Sequence, residues 1–441
     1  MHEQSDTKNH TIGEKKNILL GRYHDGTAKN NWGGRATSLA LAGILAAKPD
    51  VANVAPLNGG YITQSFGDFT SMDKIRVRVK HQIARAGGST QELATRPFED
   101  VESFARRLLS QRVRSDRLTA IVDAVDNCDE FWMNGEGDFI LGYSGTLWRT
   151  LLIMEIAQIR RKPVFLVNSI LDNKARSPTP ESVESAVGRV VRKCEGVFWR
   201  DPESKRISDE IYGGVVSTWL PDALFSWSRV QSETLPSVNG EAYTPWTEGL
   251  PLTVQRLLTA DGNLVVISGS STMRSGTVDR RRNLSRIVVA VRSAGLCPVL
   301  VATSDEDSWL ERAADEMSCP YVPARVPLIA GLTLLARAAV FVSGRYHPSI
   351  LAHCVGTPSV IMASNSHKSM SVQQVFGDDP RVYDTFSSDP QGTGLIGRIL
   401  ESAAEGAAER NRRVAVSRNL AAKTYAGLTG LPSEQSSSHF E

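Results

Sequence analysis

The chain is short of cysteine, short of aromatic residues, almost without net charge and without any long apolar run, and each shortage closes off a class of function. Its five cysteines, Cys128, Cys194, Cys297, Cys319 and Cys354, are odd in number and scattered, with no C-x-x-C spacing. Such a set suits neither a disulfide framework nor a zinc site, so reduced interior residues and no metal are expected. Against 50 Lys and Arg stand 48 Asp and Glu, a net charge of +2. That balance leaves no footprint for nucleic acid and no polybasic membrane anchor. The longest apolar stretches, such as Leu39 to Ala47, fall far short of the roughly 20 residues of a spanning helix, so no stable membrane insertion is expected. The opening MHEQSDTKNHTIGEKK lacks the apolar centre of a signal peptide, which predicts a cytoplasmic protein.

What is present is the rhythm of an α/β protein. A length of 441 residues calls for more than one core. Short apolar runs such as Asn17–Leu20, Glu130–Met133, Pro163–Val167 and Leu264–Ile267 alternate with helical patterns near 34–47, 98–111, 146–160 and 279–294. Further strands are expected near 298–302, 339–342 and 358–362. This is the pattern of βαβ units and parallel sheets. The predicted architecture is two doubly wound, Rossmann-like lobes facing each other across a cleft. Residues 1–15 and 431–441 read as disordered, 16–228 as the first lobe and 229–261 as a connection without sustained period. Residues 262–404 form the second lobe, and 405–430 a helix folding back across both. No repeat occurs at a period of 20–50 residues.

The sharpest local signal is Ser343-Gly344-Arg345-Tyr346-His347-Pro348-Ser349, directly after the apolar run Ala338–Val342. A buried strand followed by a helix start puts Arg345 and His347 where open α/β sheets bind ligands. A permanent cation beside a group that titrates near neutrality suits an anionic substrate and a proton transfer. The plainer alternative is a helix start whose Arg pairs with a carboxylate and whose His caps a turn. The next strand ends at Ser364-Asn365-Ser366-His367-Lys368. Adjacent parallel strands lie about 4.8 Å apart, so Arg345, His347, Asn365 and Lys368 are expected to converge on a small polyanion. Alone, Lys368 reads as a solvated helix residue. The turn Ser268–Gly276 between a strand and a helix adds Ser270 and Arg274 as phosphate ligands, without Walker or G-x-G-x-x-G spacing.

In the first half, Asn134-Gly135-Glu136-Gly137-Asp138 ends a strand with carboxylates set among glycines. Glu136 there suits a base or a ligand of sugar hydroxyls, and equally a polar turn. Arg22-Tyr23-His24-Asp25 and Asn30-Asn31-Trp32-Gly33-Gly34 follow the first strand toward the same cleft. A Trp among amides and glycines suits a sugar face, and equally a packed loop. The basic run Arg280-Arg281-Arg282 reads as a solvated helix start.

Taken in order, these strings resemble the polysaccharide pyruvyl transferase family. The likeness is carried by Asn31-Trp32-Gly33-Gly34, Asn134-Gly135-Glu136-Gly137, Lys162 to Ser169, Phe198-Trp199-Arg200-Asp201-Pro202-Glu203-Ser204 and Pro221-Asp222-Ala223-Leu224-Phe225. Ser343 to Ser349, Gly356-Thr357-Pro358 and Ser364 to Lys368 complete it, from about residue 17 to 376. The resemblance implies a fold like that of the B-type glycosyltransferases. It implies a bacterial exopolysaccharide-type enzyme that moves pyruvate from phosphoenolpyruvate onto two hydroxyls of one sugar, closing a cyclic ketal and releasing phosphate. No cofactor is implied; phosphoenolpyruvate is a co-substrate. The family's motif positions fall on Arg345, His347, Arg200 and Lys368; with Asn365, Ser270 and Arg274 from the residue reading, these are expected on the donor, with His347 as general acid. Asn31, Trp32, Gly33, Asn134 and His24 are then expected around the acceptor in the first lobe, with Glu136 assisting catalysis. Gly34 stands where the family often carries an acidic residue. A lipid-linked acceptor at the inner leaflet needs no anchor in this chain, and nothing in the residues selects between a monomer and a homo-oligomer. Two rivals are a nucleotide-sugar glycosyltransferase of the same fold, with Asp305, Glu306 and Asp307 as ribose ligands, and a non-catalytic anion-binding protein.

Overall fold

In a computed structural model of the protein, the described residues are 15–26, 30–60, 62, 101–110, 116–141, 144–173, 181–229, 249–260, 263–272, 278–378, 380–386 and 394–431. The predicted disordered termini fall almost wholly outside them, as do Arg274 and most of the expected connection. The first lobe contains β1 (Lys16–Tyr23), α1 (Trp32–Ala46), β2 (Val51–Asn58), α2 (Val101–Ser110), α3 (Asp116–Asp126) and β3 (Glu130–Ile140). It continues with α4 (Ser144–Ile159), β4 (Val164–Asp172), α5 (Glu181–Arg192), β5 (Gly196–Trp199), α6 (Pro202–Ile211) and β6 (Thr218–Trp219). The second has α7 (Leu252–Thr259), β7 (Leu264–Ser270), α8 (Val278–Ser293), β8 (Cys297–Val301), α9 (Trp309–Met317), β9 (Tyr321–Val322) and α10 (Leu328–Arg337). Then come β10 (Ala338–Gly344), α11 (Tyr346–Cys354), β11 (Ser359–Ile361), α12 (Lys368–Phe376) and α13 (Leu395–Ala403), before the long α14 (Ala407–Thr429).

All strand pairs in both sheets are parallel. The orders are β2-β1-β3-β4-β5-β6 and β11-β10-β7-β8-β9. Strand order therefore reverses between β1 and β3 in one sheet and between β7 and β10 in the other. Crevices at the carboxyl ends of such reversals are where doubly wound sheets take ligands. Both clusters singled out by sequence sit there: Arg22, His24 and residues 134–138 in the first lobe, Ser270 and residues 343–347 in the second.

The apolar runs become strands because helices cover both faces of each sheet and strip out the usual alternation. Leu19, Phe131 and Leu166 face one side of the first sheet, Ile18, Leu20 and Trp132 the other. Helix α14 joins the lobes: Ala421 packs in the second core, whereas Tyr425 and Leu428 pack in the first. Among the described residues no helix is long and apolar enough to cross a membrane.

Two expectations change. The run 134–138 does not end its strand; Asn134 and Glu136 still pair with Val167 and Ser169 of β4, and β3 runs on to Ile140 past a register shift. Pairing with β4 carries the strand on where local glycines suggest a turn. In the stretch expected to lack period, Leu252–Thr259 is a helix, with Val254, Leu257 and Leu258 in the second core.

Candidate active site

Helix α1 begins at the carboxyl end of β1 and drives into the second lobe. Asn31 caps it, its side chain accepting from the Gly34 amide at 3.2 Å. The Trp32 amide donates to the Thr303 carbonyl at 3.0 Å, and its indole Nε1 donates to the Ala324 carbonyl at 2.9 Å. Trp32 is 0% exposed and belongs to the second core. It does not face the cleft, so the expected acceptor-binding role gives way to that of an anchor. A burial of this size fastens one lobe to the other by about 2–3 kcal/mol.

The next residue explains its own identity. A Cβ on Gly33 would stand 2.4 Å from Cβ and 2.5 Å from Nδ1 of His347. Only glycine lets the first turn of α1 press against that imidazole. Gly33→Ala should push His347 aside and lower kcat by as much as about 100-fold, the scale of a 1 Å displacement at a reacting centre. Steady-state kinetics of the variant, with a wild-type rate as the contrary outcome, checks this. Gly34 is tight as well: a Cβ would lie 3.1 Å from the His24 ring. An acidic side chain there would crowd His24.

His347 opens α11, and its Nε2 stands 3.1 Å from Nη1 of Arg200 and 3.4 Å from Oδ2 of Asp222. Arg200 follows β5, is 2% exposed, and stacks its guanidinium 4.2 Å above the Tyr346 ring, a cation–π contact. Asp222 is completely buried; its Oδ1 accepts from the Leu224 amide at 3.0 Å. Burial works against its charge, but His347, Arg200 and that amide outweigh burial and hold the carboxyl below its ordinary range. One imidazole nitrogen thus lies between a donor that wants a lone pair and a carboxylate that wants a proton. Asp222 stood in the sequence only as part of a motif; nothing local marks it as the partner of a histidine far along the chain.

Arg345 is already engaged. Nε and Nη2 donate to the two carboxylate oxygens of Asp307 at 2.8 Å each, and both terminal nitrogens reach Glu306 at 3.4 Å. These carboxylates keep the guanidinium charged despite burial. The plainer expectation, a helix-start arginine paired with a carboxylate, describes it better than a free donor ligand. The same pairing removes Asp307 and Glu306 as ready ribose ligands.

Lys368 begins α12, half-buried, with no hydrogen bond or ion pair among the described residues. Burial, helped by the charges of Arg200 and Arg345, pulls its ammonium down to about 7. Beside it, Asn365 is tied to Ser271, whose hydroxyl donates to Asn365 Oδ1 at 3.2 Å and accepts from the Asn365 amide at 3.3 Å. Ser270 is 0% exposed and donates to the Ala363 carbonyl. Its hydroxyl is spent on joining β7 to the chain after β11, not turned to a donor.

His367, whose role the sequence did not show, bridges the lobes. Its Nδ1 lies 3.2 Å from Asp172 Oδ2 and its Nε2 3.0 Å from Asp201 Oδ1, and its amide donates to Asp172 at 3.0 Å. Burial opposes the charged ring, yet these two carboxylates push it up to about 9.

Across the cleft, Glu136 is 7% exposed and accepts from Asn134 Nδ2 at 3.3 Å. His24 Nε2 is 3.8 Å from its Oε1, and Arg22 is 4.0 Å from its Oε2. Burial would raise Glu136, but His24, Arg22, His347 and Arg200 together hold it low. Burial draws His24 down, against the pull of Glu136. Glu136 (φ 41°) and Arg22 (φ 61°) both sit in the left-handed region, a strain of about 1–3 kcal/mol each that clusters at functional sites. The structure therefore brings His347, Arg200, Lys368, Glu136, Asn134 and His24 to one cleft. It leaves Trp32 and Ser270 out of it, and gives Arg345 to Asp307.

The family model of polysaccharide pyruvyl transferases, "PS_pyruv_trans", matches residues 73–366, well over half of the chain. The chain belongs to the polysaccharide pyruvyl transferase family. A transferase acting on polysaccharide, with a saccharide acceptor, follows from that membership. No curated protein matches the sequence. Among solved structures, TcCGT1 in complex with UDP aligns at TM-score 0.52 and 9% identity over 96% of this chain and 99% of that one. Arabidopsis thaliana UGT89C1 complexed with quercetin aligns at 0.51 and 10% identity, covering 96% and 100%. An alpha,alpha-trehalose-phosphate synthase (UDP-forming) from Burkholderia vietnamiensis aligns at 0.50 and 12%, covering 96% and 98%. At such identities these likenesses speak for the two-lobed fold of B-type glycosyltransferases and not for the chemistry of this family member.

Proposed function

We propose that the protein transfers pyruvate from phosphoenolpyruvate onto two hydroxyls of a saccharide, closing a cyclic ketal and releasing phosphate. The observation that carries this reading is the meeting of His347 with Arg200 and with Lys368, which has no hydrogen bond or ion pair among the described residues, opposite Glu136 and His24. Phosphoenolpyruvate brings a phosphate and a carboxylate, which the two cations would hold. As the anion engages Arg200, His347 Nε2 loses a competing donor and keeps the Asp222 carboxylate 3.4 Å away. His347 then gives its proton to the methylene carbon, turning it into a methyl group and leaving positive charge at C2. One acceptor hydroxyl adds to C2 and loses a proton. The second adds as the C–O bond to phosphate breaks, and it too loses a proton. Of the two protons released, one reloads His347 and the other leaves with phosphate. His24 in its neutral form is the better base for a hydroxyl, with ionised Glu136 orienting it. The enol phosphate supplies the driving force itself, so we propose no cofactor.

The test is thermal unfolding with phosphoenolpyruvate and, separately, with UDP, across pH 6–9. A ligand at about 100 times its dissociation constant should stabilise by roughly 2.7 kcal/mol. Stabilisation by phosphoenolpyruvate should weaken as pH rises through 7, because Lys368 loses its charge there. Bound dianion draws a proton onto Lys368, so binding at pH 8 should take up protons. Lys368→Arg should flatten the profile, and Lys368→Met should weaken binding by about tenfold or more. Stabilisation by UDP alone would point instead to glycosyl transfer.

A further inference from the structure

Behind Glu136, the first lobe holds a small hollow, partly open to solvent, between the carboxyl ends of β1 and β3 and the start of α4. Met133 and Ile153 make part of its wall apolar; Arg22, Asp138, Arg149 and Thr150 supply the polar groups. Asp138 is satisfied twice, accepting from Thr150 Oγ1 at 2.7 Å and pairing with Arg22 Nη1. Arg22 also donates to the Gly135 carbonyl at 3.2 Å. Arg149 is different: half-buried on α4, it has no hydrogen bond or ion pair among the described residues. Two guanidinium groups therefore face one carboxylate, and one of them has no hydrogen-bond or ion-pair partner among the described residues. A cation withdrawn from water without a counter-ion is unfavourable until an anion joins it. Arg22 links this hollow to the candidate active site, since it also stands 4.0 Å from Glu136.

We propose that Arg149 and Arg22 bind an oxyanion carried by the acceptor, a carboxylate or phosphate on the sugar that receives pyruvate or on its immediate neighbour. This deepens the pyruvyl-transfer reading and rests on it, by naming the acceptor as an acidic saccharide. The hollow is far smaller than whole-ligand sites, so it takes the charged group alone, with the hydroxyls of the ring directed to Glu136 and His24. Burial pushes the Asp138 carboxyl up, against the pull of Arg22 and Thr150.

The experiment measures binding of glucuronate, glucose 6-phosphate and neutral glucose to the full chain by calorimetry, with phosphoenolpyruvate binding as a separate control. At least one acidic sugar should bind about 10- to 100-fold more tightly than glucose, the range of charge-assisted hydrogen bonds. Whichever of the two is preferred identifies the anion as carboxylate or phosphate. Arg149→Met should erase the preference and Arg149→Lys should keep part of it, while both leave phosphoenolpyruvate binding unchanged. Equal binding of all three sugars, no measurable binding of either acidic sugar, or a preference that survives Arg149→Met would overturn the proposal. A preserved preference in a protein that ignores phosphoenolpyruvate would instead sink the transfer reading and leave the subsite standing.

Discussion

His347→Ala should lower kcat by about 10²–10⁴-fold, the usual contribution of a positioned general acid. The imidazole stands at the one point where both lobes, a buried cation and a buried carboxylate meet: Gly33 against Nδ1, Arg200 and Asp222 against Nε2. On the proposed reading Arg200 and Lys368 still hold the donor without it, so the KM for phosphoenolpyruvate should change by less than about fivefold. A fall in kcat at constant KM is the mark of a group that acts in the transition state alone. Folding should be little affected, because Arg200 remains beside Asp222, at 3.6 Å, to balance its charge. Steady-state kinetics and an unfolding curve on the same preparation decide it. A variant that keeps more than a tenth of the wild-type kcat removes His347 from the acid role.

Arg345→Met should be among the most destabilising single changes in the second lobe, by roughly 3–5 kcal/mol, since it leaves the buried Asp307 without its cation. The two groups share paired contacts of 2.8 Å, and Asp307 is 0% exposed. Adding Asp307→Leu should restore most of the lost stability, because two apolar side chains in place of a buried ion pair are close to neutral. The double variant then separates structure from binding. If Arg345 only braces the strand end that carries His347, Arg345→Met/Asp307→Leu should bind phosphoenolpyruvate within about threefold of wild type. If Arg345 swings from Asp307 to the donor, the stable double variant should lose affinity by about tenfold or more. Denaturant melts of the three variants and a binding isotherm of the double variant measure both. No recovery in the double variant would mean that Arg345 matters to the fold through contacts other than Asp307.

Local sequence carried much of the architecture. The apolar runs 17–20, 130–133 and 264–267 lie inside β1, β3 and β7, and the helical patterns near 34–47, 146–160 and 279–294 match α1, α4 and α8 within two residues. Periodicity and turn chemistry are short-range properties, readable wherever they are strong. The extent of β3 was not readable, because glycines and carboxylates at 134–138 resemble a turn until pairing with β4 carries the strand past them. Trp32 misled for a similar reason. A Trp beside glycines looks alike on a sugar face and in a core, and only the chain segment near Ala324 decides which.

The sequence by itself determined the alternation that builds two parallel sheets, the strand ends at which function gathers, and the ordered motifs that mark the family. Only the tertiary structure decided which charges meet. Arg345 finds Asp307 across 38 residues, His347 finds Arg200 across 147, and His367 finds Asp172 across 195. Such pairs depend on how helices pack on sheets and how one lobe seats on the other. Dispersion and burial act on the assembled surface, so no window of sequence contains them. Lys368 shows the difference most simply: in the chain it is one lysine among many, and the fold alone buries it near Arg200 and Arg345 and pulls its ammonium down to about 7.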